Sequence, residues 1–95
     1  MPTRYTLAWF KEEMAPQLTG CSLVYRSCGE GDFGYLERVE VESETLLGTL
    51  DFWSHEWLDL HLIDRAAVEE RLNLFLSPNQ EAEKEQAFIA FLSLL

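Results

Sequence analysis

Positive charge is what this chain has least of. Seven Lys and Arg stand against 17 Asp and Glu, a formal net charge of −10 over 95 residues. Between residues 30 and 70 only Arg38 and Arg65 offset twelve acids. Nucleic acid and anionic lipid repel such a surface, so neither is an expected partner. The charge suits a basic partner, or serves solubility alone. Long apolar runs are also missing. The longest lies in AFIAFLSLL at the C-terminal end, far short of the roughly 20 residues that span a bilayer. The opening MPTRYTLAWFKEEM has one basic residue before a short apolar patch and acids directly after it, unlike a secretory signal. A cytoplasmic protein is the expectation.

Reactive groups are equally sparse. The two cysteines, Cys21 and Cys28, are read as reduced thiols, since nothing indicates an oxidising compartment. With two distant histidines they do not have zinc-site spacing, and no metal or cofactor is expected. No serine occupies a nucleophile elbow, and neither cysteine has a His or Asp at a recognisable spacing. The stretch GEGDFG (29–34) matches G-x-G-x-x-G, but Glu30 and Asp32 would face the phosphates, and a strand rather than a helix comes after it. It reads as a glycine-bearing hairpin loop. The chain is therefore expected not to be an enzyme. It contains no repeat and no low-complexity linker, and reads as one domain over residues 1–95 with an ordinary globular composition.

What is present is pattern. RYTLAWF (4–10) reads as a strand with Tyr5, Leu7 and Trp9 on one face, a helix from Thr3 being the alternative; Pro16 and Gly20 then break the chain before the next strand. CSLVYRS (21–27) is that second strand. YLERVEVES (35–43) alternates, with Val39 and Val41 facing one way and Arg38, Glu40 and Glu42 the other. TLDFW (49–53) and WLDLHLI (57–63) flank Ser54-His55-Glu56. Only an odd-numbered loop puts Leu50 and Phe52 on the same side of the sheet as Leu58, Leu60 and Leu62. Asp64 then reads as an N-cap for a helix over 65–76, with Val68, Leu72, Phe75 and Leu76 at helical spacing. Ser77-Pro78-Asn79-Gln80 reads as a capping box that starts a second helix, Pro78 to Leu94. The expected fold is α+β: an antiparallel β-sheet meander of four to five strands with two C-terminal helices packed on one face. The apolar last turns (Phe88, Phe91, Leu92, Leu95) need cover from a neighbouring helix or from a second copy, so a homodimer through this helix is the alternative assembly.

The densest chemistry lies in GTLDFWSHEWLDLHLID (48–64). With a three-residue loop, Trp53 faces Trp57, Asp51 faces Asp59 and Thr49 faces His61, all away from the leucines. Opposed carboxylates cost stability unless a cation lies between them. Arg38, a metal ion held by Asp51, Asp59 and His61, or a Lys or Arg from a partner would each serve. Carboxylate-pair catalysis needs one acid desolvated and one exposed, a contrast an open sheet face does not offer. Tryptophan is enriched at binding hot spots, and nearby acids select a basic partner. The candidate partner-binding residues are Glu40, Glu42, Asp51, Trp53, Trp57, Asp59 and His61. His55 is expected to be solvent-exposed.

This Trp-bearing acidic hairpin, followed by helical segments that end in EAEKEQAFIAFLSLL, resembles the small immunity proteins of bacterial toxin systems in layout and charge over residues 33–95. The resemblance implies a non-enzymatic inhibitor that binds the basic surface of a toxin domain. It carries no residue-level assignment.

Overall fold

The computed structural model describes residues 2–95. Five strands form one antiparallel sheet in the order of the chain: β1 (Ser22–Gly31), β2 (Gly34–Glu42), β3 (Leu46–Trp53), β4 (Leu58–Asp64) and β5 (Glu69–Leu76). A short helical stretch precedes the sheet and α2 (Glu81–Leu94) comes after it. The expected α+β class and antiparallel meander are present. The expected pair of C-terminal helices is not, because two segments have exchanged roles.

The first is the N-terminus. Residues 4–10 are not a strand: α1 (Leu7–Trp9) continues directly as a π-helical stretch (Phe10–Met14) and a 3-10 turn (Ala15–Gln17). Thr6 caps it by accepting from Trp9 N at 3.2 Å. Tyr5 and Trp9 are four residues apart, as are Phe10, Met14 and Leu18, so the apolar set has a helical period. The last three are all buried. Pro16 lacks an N–H and crowds the carbonyl four residues back. Just before it, bonding shifts to the wider register, with Ala15 N donating to Phe10 O.

The second exchange is residues 65–76. Asp64 does accept from two amides, Ala66 N and Ala67 N, each at 3.0 Å. The capping signal is real, but it closes a turn. Val68 comes next with φ 51°, a left-handed conformation that no helix continues, and the chain returns as β5. Leu72, Leu74 and Leu76 then alternate toward the core, opposite Leu62, Leu60 and Leu58. Ser77 and Gln80 do bond, Gln80 Oε1 accepting from Ser77 N at 2.8 Å, but α2 begins three residues later than Pro78, at Glu81.

Parity places the core. Val39, Val41, Leu50, Phe52, Leu58, Leu60 and Leu62 lie on one sheet face and are buried beneath the N-terminal stretch and Ala87, Phe88 and Phe91 of α2. Phe88 packs against Tyr5 and Trp9, so the N-terminal helical stretch supplies the cover expected from a helix over 65–76. Ile89 and Leu95 stay exposed. Gly48, in the middle of β3, leaves no room for a side chain: a Cβ there would lie 2.7 Å from His61 O and 2.2 Å from Leu62 Cδ2.

A polar knot ties the helical layer to the β3–β4 hairpin. Lys84 is wholly buried, and its Nζ donates to Glu56 O at 2.8 Å. Burial pushes its amine below the usual lysine range, against the pull of Glu81 and Glu56. Glu81 accepts from Thr3 Oγ1 at 2.6 Å and from Arg4 N at 2.9 Å, and the Glu56 carboxylate accepts from Thr3 N. Burial alone would raise Glu81, but these donors, with Lys84 and Arg4, hold it below the usual carboxylate range. No helix is long and apolar enough to cross a membrane among the described residues.

Candidate functional site

Both helical elements lie on one face of the sheet, so the other face is open. The hairpin parity expected for residues 49–62 is observed: Thr49 pairs with His61, Asp51 with Asp59 and Phe52 with Leu58. Trp53 N donates to Trp57 O at 3.1 Å across the three-residue loop Ser54-His55-Glu56. Glu56, at φ 73°, takes the left-handed position that this loop type requires at its third residue. His55 is exposed.

Strand register arranges the open face in rows. One row runs Arg26, Arg38, Asp51, Asp59, Phe75 across all five strands. Its charges are sorted, two cations beside two anions, and neighbours of like sign must find other partners. Arg38 takes Asp51 in a two-pronged contact, Nε to Oδ1 at 2.7 Å and Nη2 to Oδ2 at 3.0 Å. The Asp51 bond raises the Arg38 pKa further, so its charge is permanent. Asp51 is only 6% exposed, and this pairing allows a carboxylate to be buried there. Arg26 turns to the next row and meets Glu40 at 3.0 Å.

Asp59 receives nothing. Among the described residues no hydrogen bond or ion pair reaches its carboxylate. Partial burial raises its pKa, and the Asp51 charge adds to that, while His61 and Arg38 act in the opposite sense. Arg38 therefore answers half of the opposed-carboxylate question: it neutralises Asp51 and leaves Asp59 unpaired.

The adjoining row carries Val24, Glu40, Thr49, His61 and Asn73. His61 Nε2 lies 3.3 Å from Glu70 Oε2, and Glu42 lies 3.6 Å from Arg65 Nη1. Val24, Leu47 and Ile63 wall a shallow concavity of ≈360 Å3, with Glu40, Glu42 and His61 on its rim. No group of three His, Cys, Asp or Glu side chains converges as a metal site among the described residues.

At the opposite end of the face the tryptophans do not stand free. Phe33, from the β1–β2 turn, packs 5.7 Å from Trp53 and 4.8 Å from Trp57. Phe75 stacks on Trp57, centroids 5.0 Å apart at 19°, and meets Phe33 at 5.4 Å. The glycines of GEGDFG make this possible. Gly34, at φ 96°, sits so close to Ser54 and His55 that a Cβ would lie 2.2 Å from Ser54 Oγ. That close approach lets Tyr35 N donate to Ser54 Oγ and His55 N to Phe33 O. Sequence reasoning misses both phenylalanines, since Phe33 reads as loop and Phe75 as helix. Alternation in LNLFL is the available signal for Phe75.

The seven candidate residues thus share one face, but six already have partners within the chain. Glu40, Glu42 and Asp51 are paired with arginines, His61 lies beside Glu70, and Trp53 and Trp57 are packed. Among the described residues, Asp59 alone of the seven is uncommitted. No protein-family model, curated protein or solved structure matches this chain.

Proposed function

We propose that this is a non-enzymatic acidic binding protein of the immunity or inhibitor type, which neutralises a protein partner by covering a basic surface with the open face of its sheet. The observation that carries the reading is a helix-free sheet face on which an aromatic cluster adjoins an unpaired carboxylate. Glu40, Glu42 and Glu70 stand farther along the same face, and the ion pairs of Glu40 with Arg26 and of Glu42 with Arg65 are solvent-exposed. Such pairs are worth at most about 1 kcal/mol each, so a partner's cations exchange into them at little cost. Four strand spacings by the seven residues of β4 give roughly 19 by 20 Å. That area is below the ~800 Å2 a side of a standard interface, so affinity rests on a few anchors and on contributions from neighbouring loops. The likeness to bacterial immunity proteins keeps its acidic Trp hairpin and C-terminal helix but loses the helix over 65–76.

The test is co-expression with the products of neighbouring genes. A neighbour that arrests growth alone and is silenced by this chain, in a complex that weakens with salt, supports the reading. Neighbours that are harmless, or whose toxicity this chain leaves unchanged, overturn it.

Exposed Ile89 on α2 and exposed Leu95 just past its end favour a second reading, a homo-oligomeric structural or accessory protein. Sedimentation at twice 11.0 kDa would support it, and a monomer at high concentration would sink it.

A further inference from the structure

We infer that the open face takes its partner through an arginine side chain, the guanidinium plane lying on the exposed ring of Phe75 and its N–H groups paired with the Asp59 carboxylate. This rests on the reading of the face as a basic-partner surface and names the chemistry of its anchor. Three observations converge on it. The row Arg26, Arg38, Asp51, Asp59, Phe75 contains two anions but gives only one of them a cation. Asp59 and Phe75 are direct cross-strand partners, so carboxylate and ring stand side by side within reach of one incoming group. Phe75 is 46% exposed, the most open ring of its cluster, and Trp57 stacked against it fixes its plane.

A flat ring beside a carboxylate discriminates between cations. A guanidinium is planar, so it can stack on the ring while its edge donates two parallel bonds to the acid. An ammonium is a compact, strongly hydrated point charge that cannot do both. The protein already makes the bidentate half of this contact one strand away, between Arg38 and Asp51. An external arginine over Phe75 would complete the row as Arg38 completes its other half.

The test uses two capped peptides, Ac-Gly-Arg-Gly-Arg-Gly-NH2 and its lysine counterpart, titrated at low ionic strength against the intact chain. Indole N–H resonances of Trp57 and Trp9 are monitored; Trp9 packs under the sheet against Phe88 and serves as internal control. The arginine peptide should shift Trp57 and not Trp9, and bind about threefold more tightly than the lysine peptide. Asp59→Asn should weaken it by at least about threefold. Phe75→Leu, which keeps an apolar side chain and removes the π face, should erase the preference for arginine. Equal binding of the two peptides, or an Asp59→Asn variant that binds arginine unchanged, overturns the arginine anchor and leaves the basic-partner reading standing. Failure of both peptides to move Trp57 overturns the two together.

Discussion

Replacing Asp59 with Asn should stabilise the protein at neutral pH, and the reason is local. Asp51 and Asp59 are opposed across β3 and β4, which places their Cβ atoms about 5 Å apart. Two unit charges about 6 Å apart repel by about 0.7 kcal/mol in water and about 3 kcal/mol at an effective dielectric of 20. Arg38 cancels most of this by holding Asp51 in two bonds, and a net repulsion of about 0.5–1 kcal/mol is the usual scale for like charges across strands. The amide is close in shape to the carboxylate, and among the described residues no donor loses its partner in the exchange. For a domain of this size the gain corresponds to a rise in Tm of about 2–5 °C.

The pH dependence fixes the cause. Burial and Asp51 raise the folded-state pKa of Asp59 above its unfolded value. Ionisation is therefore a penalty borne by the folded state. It is fully present above the raised pKa and vanishes below the unfolded value of about 3.9. Thermal unfolding measured by circular dichroism at pH 7, 5 and 3 should show the advantage of Asp59→Asn shrinking toward zero as the pH falls. A variant no more stable than wild type at pH 7, or an advantage undiminished at pH 3, would refute the electrostatic account.

Arg38→Met should cost about 2–3 kcal/mol, because it strands a buried carboxylate beside a second one. Adding Asp51→Asn should recover most of that loss, and a double-mutant cycle in urea measures the coupling. Val68 is 77% exposed and, as a β-branched residue at φ 51°, is strained by about 1–2 kcal/mol. Val68→Gly should relieve this, less the ~0.5–1 kcal/mol of glycine entropy, for a net gain of about 0.5–1 kcal/mol. A lower urea midpoint would contradict the strain.

The central three strands were legible because their alternation is unambiguous and loop parity is arithmetic. Val39, Val41, Leu50, Phe52, Leu58, Leu60 and Leu62 have one consistent reading, and it is the observed one. The flanking segments were ambiguous because short apolar sets satisfy two periods at once. Leu72 and Leu76 are four apart on a helix and also same-face neighbours on a strand, with Leu74 between them. Tyr5 and Trp9 present the same choice in reverse. What decides both cases is tertiary. Without β5, the far side of β4 would have to leave its backbone donors and acceptors unpaired, and the helical alternative supplied no partner for them. The site was legible as a face, since parity alone groups Asp51, Trp53, Trp57, Asp59 and His61. Its pairings were not. Arg26 reaches Glu40 only through a β1 register that slips between Ser27 and Gly29, and Glu70 reaches His61 only because residues 69–76 are a strand.

The exchange of a helix for β5 also changes what the open face can do. A helix over 65–76 would have left Phe75 in the core layer and the edge of β4 beside Asp59 open. As a strand, the same residues bring Phe75 to the open side, opposite Asp59, and add Glu70 to the rim. Solubility alone would be met by acids scattered over the surface and gives no reason for four aromatic rings to gather beside an unneutralised carboxylate. Packing across the strands accounts for the rings, but not for the acid, since leaving Asp59 unpaired opposite Asp51 lowers stability. A residue that costs the free protein something and is placed to reward an incoming cation is better accounted for by binding than by folding. The two demands meet at one side chain, so Asp59→Asn, which stabilises the fold, is also the substitution that the proposed binding role expects to weaken partner binding.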